Sequence, residues 1–210
     1  MKFLLVAATV NEVEPVIERF ALTKTETGYS GEKFDLLIPG VGMVSTAYTL
    51  GSVLARTPYH FALNAGIAGS FTGHFSLGEV FNVSEDCFCE LGAEDGESFI
   101  SIEELGFGKS RIKPIETPFK LNLPLAAGVT VNTVHGNEKT IAALKNRINA
   151  DVETMEGAAF FYACNRSNLP SAQIRAVSNY VEKRNRDSWK TDLAIANLNS
   201  FLIDFISKVL

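Results

Sequence analysis

The sequence predicts a single-domain α/β fold, a three-layer α/β/α sandwich around a central mixed, mostly parallel twisted sheet. Two observations carry this: short apolar runs alternate with stretches of helical periodicity, and no linker, repeat or low-complexity tract divides the 210 residues. The runs at 3–7, 34–38, 61–64, 79–83, 128–133 and 172–177 are bounded by Gly, Pro or Asn and are mostly apolar, as expected of strands buried on both faces. The single domain is expected to span residues 1–210.

The elements follow in order. After the first run, Val13, Ile17 and Phe20 recur at helical spacing, with Asn11 and Glu14 as a capping pair and Pro15 tolerable in a first turn. Further helices are expected at 45–54, 138–147 and 154–164. A last one is marked by Leu198, Leu202, Phe205 and Val209. The stretch 86–125 has no clear period and reads as a long excursion from the sheet, with irregular strands at most.

Composition narrows the function. The chain is 46% hydrophobic and 20% charged with a net charge of −5, and its basic residues are scattered. That leaves no electrostatic footprint for nucleic acid or an anionic membrane surface. The opening apolar stretch stops at Thr9-Val10-Asn11-Glu12, too short for a leader or a membrane span, and reads as a first strand. Cys87, Cys89 and Cys164 are odd in number and lack paired zinc spacing, and His60, His74 and His135 stand singly, so neither metal nor cofactor is expected. Reduced thiols and a cytoplasmic location are the matching expectation.

Four segments carry chemistry. Glu12 follows the first strand at a helix start, where a carboxylate either complements the helix dipole or serves as a general base. Pro39-Gly40-Val41-Gly42-Met43 and Asn64-Ala65-Gly66-Ile67-Ala68-Gly69 place glycines where strands are expected to end, which suits a plain tight turn or a close approach to a ligand. Glu156, within Glu153-Thr154-Met155-Glu156-Gly157, opens a small-residue helix. A carboxylate buried there needs partners or a function, and it could bind two adjacent ribose hydroxyls, with Met155 against the sugar face. Asn179, in Arg175-Ala176-Val177-Ser178-Asn179, either makes a turn or projects its amide into the same cleft.

In this order the segments resemble the superfamily of purine nucleoside phosphorylases and nucleosidases, especially the methylthioadenosine/S-adenosylhomocysteine nucleosidases. The resemblance implies the nucleoside phosphorylase-like fold and hydrolysis through an oxocarbenium-like transition state. It implies that Glu12 activates water, and that Met155, Glu156 and the turn formed by Gly66, Ile67, Ala68 and Gly69 hold the ribose. Thr133, Val134 and His135 would face the base together with Asn179, and a homodimer or higher homo-oligomer would form around a small nucleoside substrate.

One departure selects the base. Adenine-cleaving members carry aspartate where this chain has Asn179, and an amide donates to the O6 of a 6-oxopurine while its oxygen accepts from a protonated N7. A mismatched buried donor or acceptor costs selectivity of ~10⁴. The tail from Ser178 to Trp189, with its Arg-Asp-x-Trp pattern, resembles the futalosine hydrolase branch of the superfamily, although a run of charge is also what a solvated loop carries. The resemblance makes Arg111, Lys113, Arg184 and Arg186, with Lys109, candidates for pairing with a substrate carboxylate. Thr9-Val10-Asn11-Glu12 lacks the basic residue a phosphate site would need, which favours water over phosphate as the nucleophile.

Overall fold

The computed structural model describes residues 2–71 and 73–209; positions 1, 72 and 210, including both ends of the expected domain, lie outside the described residues. The strands are β1 (Phe3–Val6), β2 (Thr23–Lys24), β3 (Gly28–Ser30), β4 (Phe34–Leu37), β5 (Ala62–Ser70), β6 (Val80–Phe88), β7 (Gly92–Asp95), β8 (Ser98–Ser101), β9 (Arg111–Ile112), β10 (Leu125–Thr130), β11 (Val152–Thr154) and β12 (Ser171–Tyr180). The helices are α1 (Glu14–Arg19), α2 (Met43–Leu54), α3 (Glu138–Arg147), α4 (Gly157–Arg166) and α5 (Thr191–Val209).

The expected α/β domain with a mixed, mostly parallel central sheet is what forms. The sheet runs β11-β10-β6-β12-β5-β1-β4-β3-β2, with β9 beside β6, while β7 and β8 make a separate hairpin. Parallel pairing joins β1 to β4 and β5, β5 to β12, and β10 to β6 and β11. An antiparallel pairing of β11 with β5 then closes β5, β12, β6, β10 and β11 into a ring.

Burial on both faces explains the apolar runs. Along β1, Phe3 and Leu5 join the cluster formed with α1 and α5, whereas Leu4 and Val6 join Leu50 of α2 and Phe160 and Phe161 of α4 on the opposite side. Successive side chains of a strand point to opposite faces, so all four residues are apolar. The final helix is anchored the same way: Leu198, Leu202, Phe205 and Ile206 pack onto Leu63, Ala65, Ile174 and Ala176.

The structure corrects several local expectations. Residues 66–69 are not a turn, because β5 continues to Ser70, paired with β12 along its length and with β11 at Gly69 and Ser70. Asn179 likewise lies within β12 rather than in a turn, next to a register shift between Val177 and Asn179. Such an irregularity re-aims side chains at a sheet's functional end. A 3-10 turn, Val10–Glu12, precedes α1, so the helix starts later than expected. Glu12 rather than Glu14 accepts from Thr9, through its backbone N–H at 3.0 Å and its Oγ1 at 2.9 Å. Residues 154–156 do not open α4: Thr154 ends β11, a strand too short for periodicity to reveal.

The start of α4 is built from buried polar groups. The Gly157 N–H donates to Thr154 Oγ1 at 3.3 Å and the Ala158 N–H to Thr130 Oγ1 at 2.7 Å, which satisfies amides that have no partner within the helix. Thr130 Oγ1 in turn donates to Asp86 Oδ1 at 2.8 Å, and Gln173 Nε2 donates to Asp86 Oδ2 at 2.9 Å. A methyl group on Gly157 would collide with Asp86 Oδ2 and the Gln173 amide. We therefore expect Gly157→Ala to lower stability by about 1–3 kcal/mol through overpacking, despite alanine's better helix propensity, as read by the midpoint of denaturant unfolding.

Candidate active site

The carboxyl ends of β1, β5 and β12, the start of α4 and the first turns of α5 surround one cleft of about 750 Å³. Glu12, Glu156 and Asn179, far apart in sequence, all border it.

Glu12 sits on its 3-10 turn with both carboxylate oxygens engaged. Oε2 accepts from Thr9, and Oε1 accepts from the Ile67 N–H at 3.1 Å. Its own carbonyl accepts from Asn199 Nδ2 at 2.8 Å, so α5 holds the turn in place. Burial pushes its carboxyl above the ordinary value; the Arg175 guanidinium, the Ile67 N–H and Thr9 pull it back, and the Glu156 carboxylate pushes it up. A carboxylate that is reluctant to ionise is a better proton acceptor once ionised.

Glu156 immediately precedes α4 and accepts from the Gly42 N–H at 3.0 Å. This gives the glycine-containing segment at 39–43 its use: Gly42 adopts φ 99°, a left-handed value that favours glycine, and turns its amide toward the cleft. The Arg175 Nη2 stands 3.6 Å from the other oxygen of Glu156.

Arg175 is the centre of the arrangement. Only 1% exposed, it lies between the two carboxylates, donates from Nε to Gln173 Oε1 at 3.0 Å and hydrogen-bonds through Nη2 to Asn64 Oδ1. Asn64 Nδ2 donates to the Val6 carbonyl at 3.0 Å, tying the guanidinium to β1. Gly66 has no side chain because a Cβ there would collide with Arg175 Nη1 and stand 2.7 Å from Glu12 Oε1. The glycines of β5 thus mark close approach within a strand rather than a bend in the chain.

At the other end of the cleft the Asn179 amide oxygen accepts from Ser178 Oγ at 2.8 Å, and its Nδ2 donates to the Tyr180 carbonyl at 3.0 Å. Gly69 faces it across the strand pair, where a Cβ would lie 3.4 Å from Asn179 Nδ2. The Lys190 N–H donates to the Ser178 carbonyl at 2.8 Å, which brings Trp189, Thr191 and Asp192 to the rim.

Of the other expected site residues, Ile67, Ala68, Gly69, Val134 and Met155 border the cleft. His135 borders a side pocket that shares Gly69, Val134, Glu153, Asn179 and Trp189 with it. Thr133 borders neither, because β10 ends at Thr130 and carries it outward to solvent. Arg111 and Lys113 also border neither; they lie at β9 with Nη1 and Nζ at 2.5 and 3.6 Å from the Glu85 carboxylate. Arg184 borders the side pocket, 5.1 Å above the Trp189 ring, while Arg186 lines the neighbouring depression at the start of α5.

Two participants escaped the sequence reading. Arg175 had a visible signal, a cation inside a mostly apolar run. Glu153 had none beyond its strand neighbour Val152, since β11 itself was not foreseen.

The sequence profile of the phosphorylase superfamily matches residues 3–207, and the chain belongs to that family. A futalosine hydrolase of Thermus thermophilus is 33% identical over 180 residues, covering 81% of this chain and 80% of the relative. One of Streptomyces coelicolor is 31% identical over 215 residues, covering 93% and 91%. The native structure of futalosine hydrolase of Helicobacter pylori superposes with a TM-score of 0.82 at 15% identity, over 99% of this chain and 98% of that one; identity that low speaks for the fold alone.

Replacing Arg175 by methionine leaves Glu12 and Glu156 buried without their shared cation. Breaking a buried ion pair in this way costs about 3–5 kcal/mol, which we expect denaturant unfolding at neutral pH to record.

Proposed function

We propose that this chain hydrolyses the N-glycosidic bond of futalosine, releasing hypoxanthine and dehypoxanthine futalosine for menaquinone biosynthesis. The observation that carries the reading is Asn179 at the base end of a cleft whose described lining holds Glu12, Glu153, Glu156 and Asp192 but no lysine or arginine. Such a lining suits a neutral, hydroxyl-rich ribose and a water nucleophile, and repels phosphate. The identity to curated futalosine hydrolases supports the substrate.

In this mechanism Glu12 takes a proton from water as it attacks the anomeric carbon, while Arg175 keeps Glu12 in place. Glu156 accepts hydrogen bonds from the ribose hydroxyls, with Met155, Ile67, Ala68 and Gly69 around the sugar. The Asn179 amide leaves the Tyr180 carbonyl to donate to O6 of the 6-oxopurine, and Val134 and His135 lie beside the base. Arg184 and Arg186, the two candidate cations near the cleft, are the partners for the substrate carboxylate.

The enzyme works as a homodimer or higher homo-oligomer in this reading. Support comes from Val44 and Tyr48 of α2, 76% and 77% exposed, and from the largely apolar depression that Val44 lines together with Leu91 and Tyr162. A cytoplasmic location is supported by three free, buried cysteines. Among the described residues no helix is long and apolar enough to cross a membrane.

Futalosine, aminodeoxyfutalosine, inosine and methylthioadenosine, assayed in phosphate-free buffer with the freed base identified, test the reading. We expect futalosine to be cleaved to hypoxanthine with the highest kcat/KM; preference for either 6-amino nucleoside would overturn it. Glu12→Gln should lower kcat by about 10²–10⁴. In the unaltered enzyme the base form of Glu12 is lost as pH falls through its raised value. The acid limb of kcat/KM should therefore lie above the ordinary glutamate value of about 4.3.

A further inference from the structure

Cleavage of the bond from ribose to a purine leaves an electron pair on the base, which must gain a proton to become neutral product. Asn179 cannot provide it, because a carboxamide donates hydrogen bonds but does not release a proton near neutral pH. Glu12 and Glu156 are occupied with water and sugar in the mechanism above. The side pocket of about 140 Å³ that opens off the cleft beside Asn179 holds a group that mechanism leaves unused.

There His135 and Glu153 form a close pair. The His135 backbone N–H donates to Glu153 Oε1 at 2.9 Å, and ring Nδ1 lies 2.5 Å from Oε2. Glu153 is 5% exposed, and the His135 side chain 14%. Strand pairing fixes the position, with Glu153 opposite Gly69 and between β5 and β10. Glu153 borders both cavities, whereas His135, on the segment after β10, borders the side pocket together with Asn179. Burial pushes the Glu153 carboxyl up, the His135 contacts pull it back, and Glu90 pushes it up. A carboxylate in contact with an imidazole nitrogen holds the ring by one nitrogen and leaves the other to exchange protons, the arrangement that makes histidine a general acid or base.

We propose that the Glu153–His135 pair supplies the proton of the departing purine, His135 acting as the catalytic acid and Glu153 as the positioning residue that fixes its ring. The inference rests on the nucleosidase reading and adds the group that completes it. Water gives its hydroxyl to the anomeric carbon and a proton to Glu12, and the C–N electron pair leaves with the base. The imidazolium passes its Nε2 proton to a nitrogen of the base and becomes neutral. Glu12 then returns its proton to solvent and His135 takes one up, so one water has been added across the bond. The charged groups facing the pair are Glu90 from the segment after β6 and Glu182, Lys183 and Arg184 from the segment after β12. Across the cleft stand Glu12, Glu156 and Asp192.

The test uses the full chain and two variants. His135→Asn keeps a donor toward Glu153 but releases no proton, and Glu153→Gln removes the charge that holds the ring. For futalosine we expect His135→Asn to lower kcat by about 10² with KM within about threefold, to lose the alkaline limb of the kcat profile, and to recover activity with added imidazole. Glu153→Gln should shift that limb while keeping it. On N7-methylinosine, whose base departs neutral without a proton, both variants should lose at least tenfold less kcat than they lose on futalosine. An unchanged kcat on futalosine, equal losses on the two nucleosides, or a loss confined to KM would overturn the proton-donor role. An unaltered chain that leaves futalosine intact would instead overturn the nucleosidase reading itself, and the donor role with it.

Discussion

The site depends on a single buried cation. Arg175 is enclosed by protein and satisfied by Gln173, Asn64 and Glu156, and its charge offsets two carboxylates that burial would otherwise tend to neutralise. Much of the surrounding sequence accommodates it. Gly66 has no side chain where the guanidinium and Glu12 meet, and Asn64 links Arg175 to β1. Asp86, fully buried and pushed up to about 6 by burial, steadies Gln173 from behind, with Thr130 and the Cys87 N–H as its other partners. Two acids of the cleft thus share one fixed countercharge and differ in what else they accept: Glu12 from Thr9 and Ile67, Glu156 from Gly42.

The fold class was legible because the strands that bury both faces read as mostly apolar runs, and α5 announces itself through a heptad-like stripe. What was not legible lies where tertiary pairing overrides local signals. The glycines of β5 look like turn residues in isolation, yet the strand persists because β12 and β11 pair with it and because those positions have no room for a Cβ. β11 is three residues long and has no period to detect. The excursion at 86–125 contributes the end of β6, the β7–β8 hairpin and β9, none of which alternates regularly.

Within the site, the residues at strand ends could be found from type and order, since Glu12, Glu156 and Asn179 are polar residues placed next to buried elements. The cations expected to meet a substrate carboxylate fared differently. Arg111 and Lys113 are engaged with Glu85 at β9, a contact between segments that spacing along the chain does not encode. Glu153 was invisible for the same reason, because its place beside Gly69 and His135 exists only once the ring of strands has closed.

The amide of Gly42 joins two parts of the molecule that would otherwise be independent. It belongs to the residue just before α2, the helix whose outer side presents Val44 and Tyr48 to the surroundings, and it grips the inner carboxylate of Glu156. Whatever leans on that helix from outside therefore also bears on how firmly Glu156 is seated, so the proposed subunit contact and the proposed sugar anchor would share one lever arm.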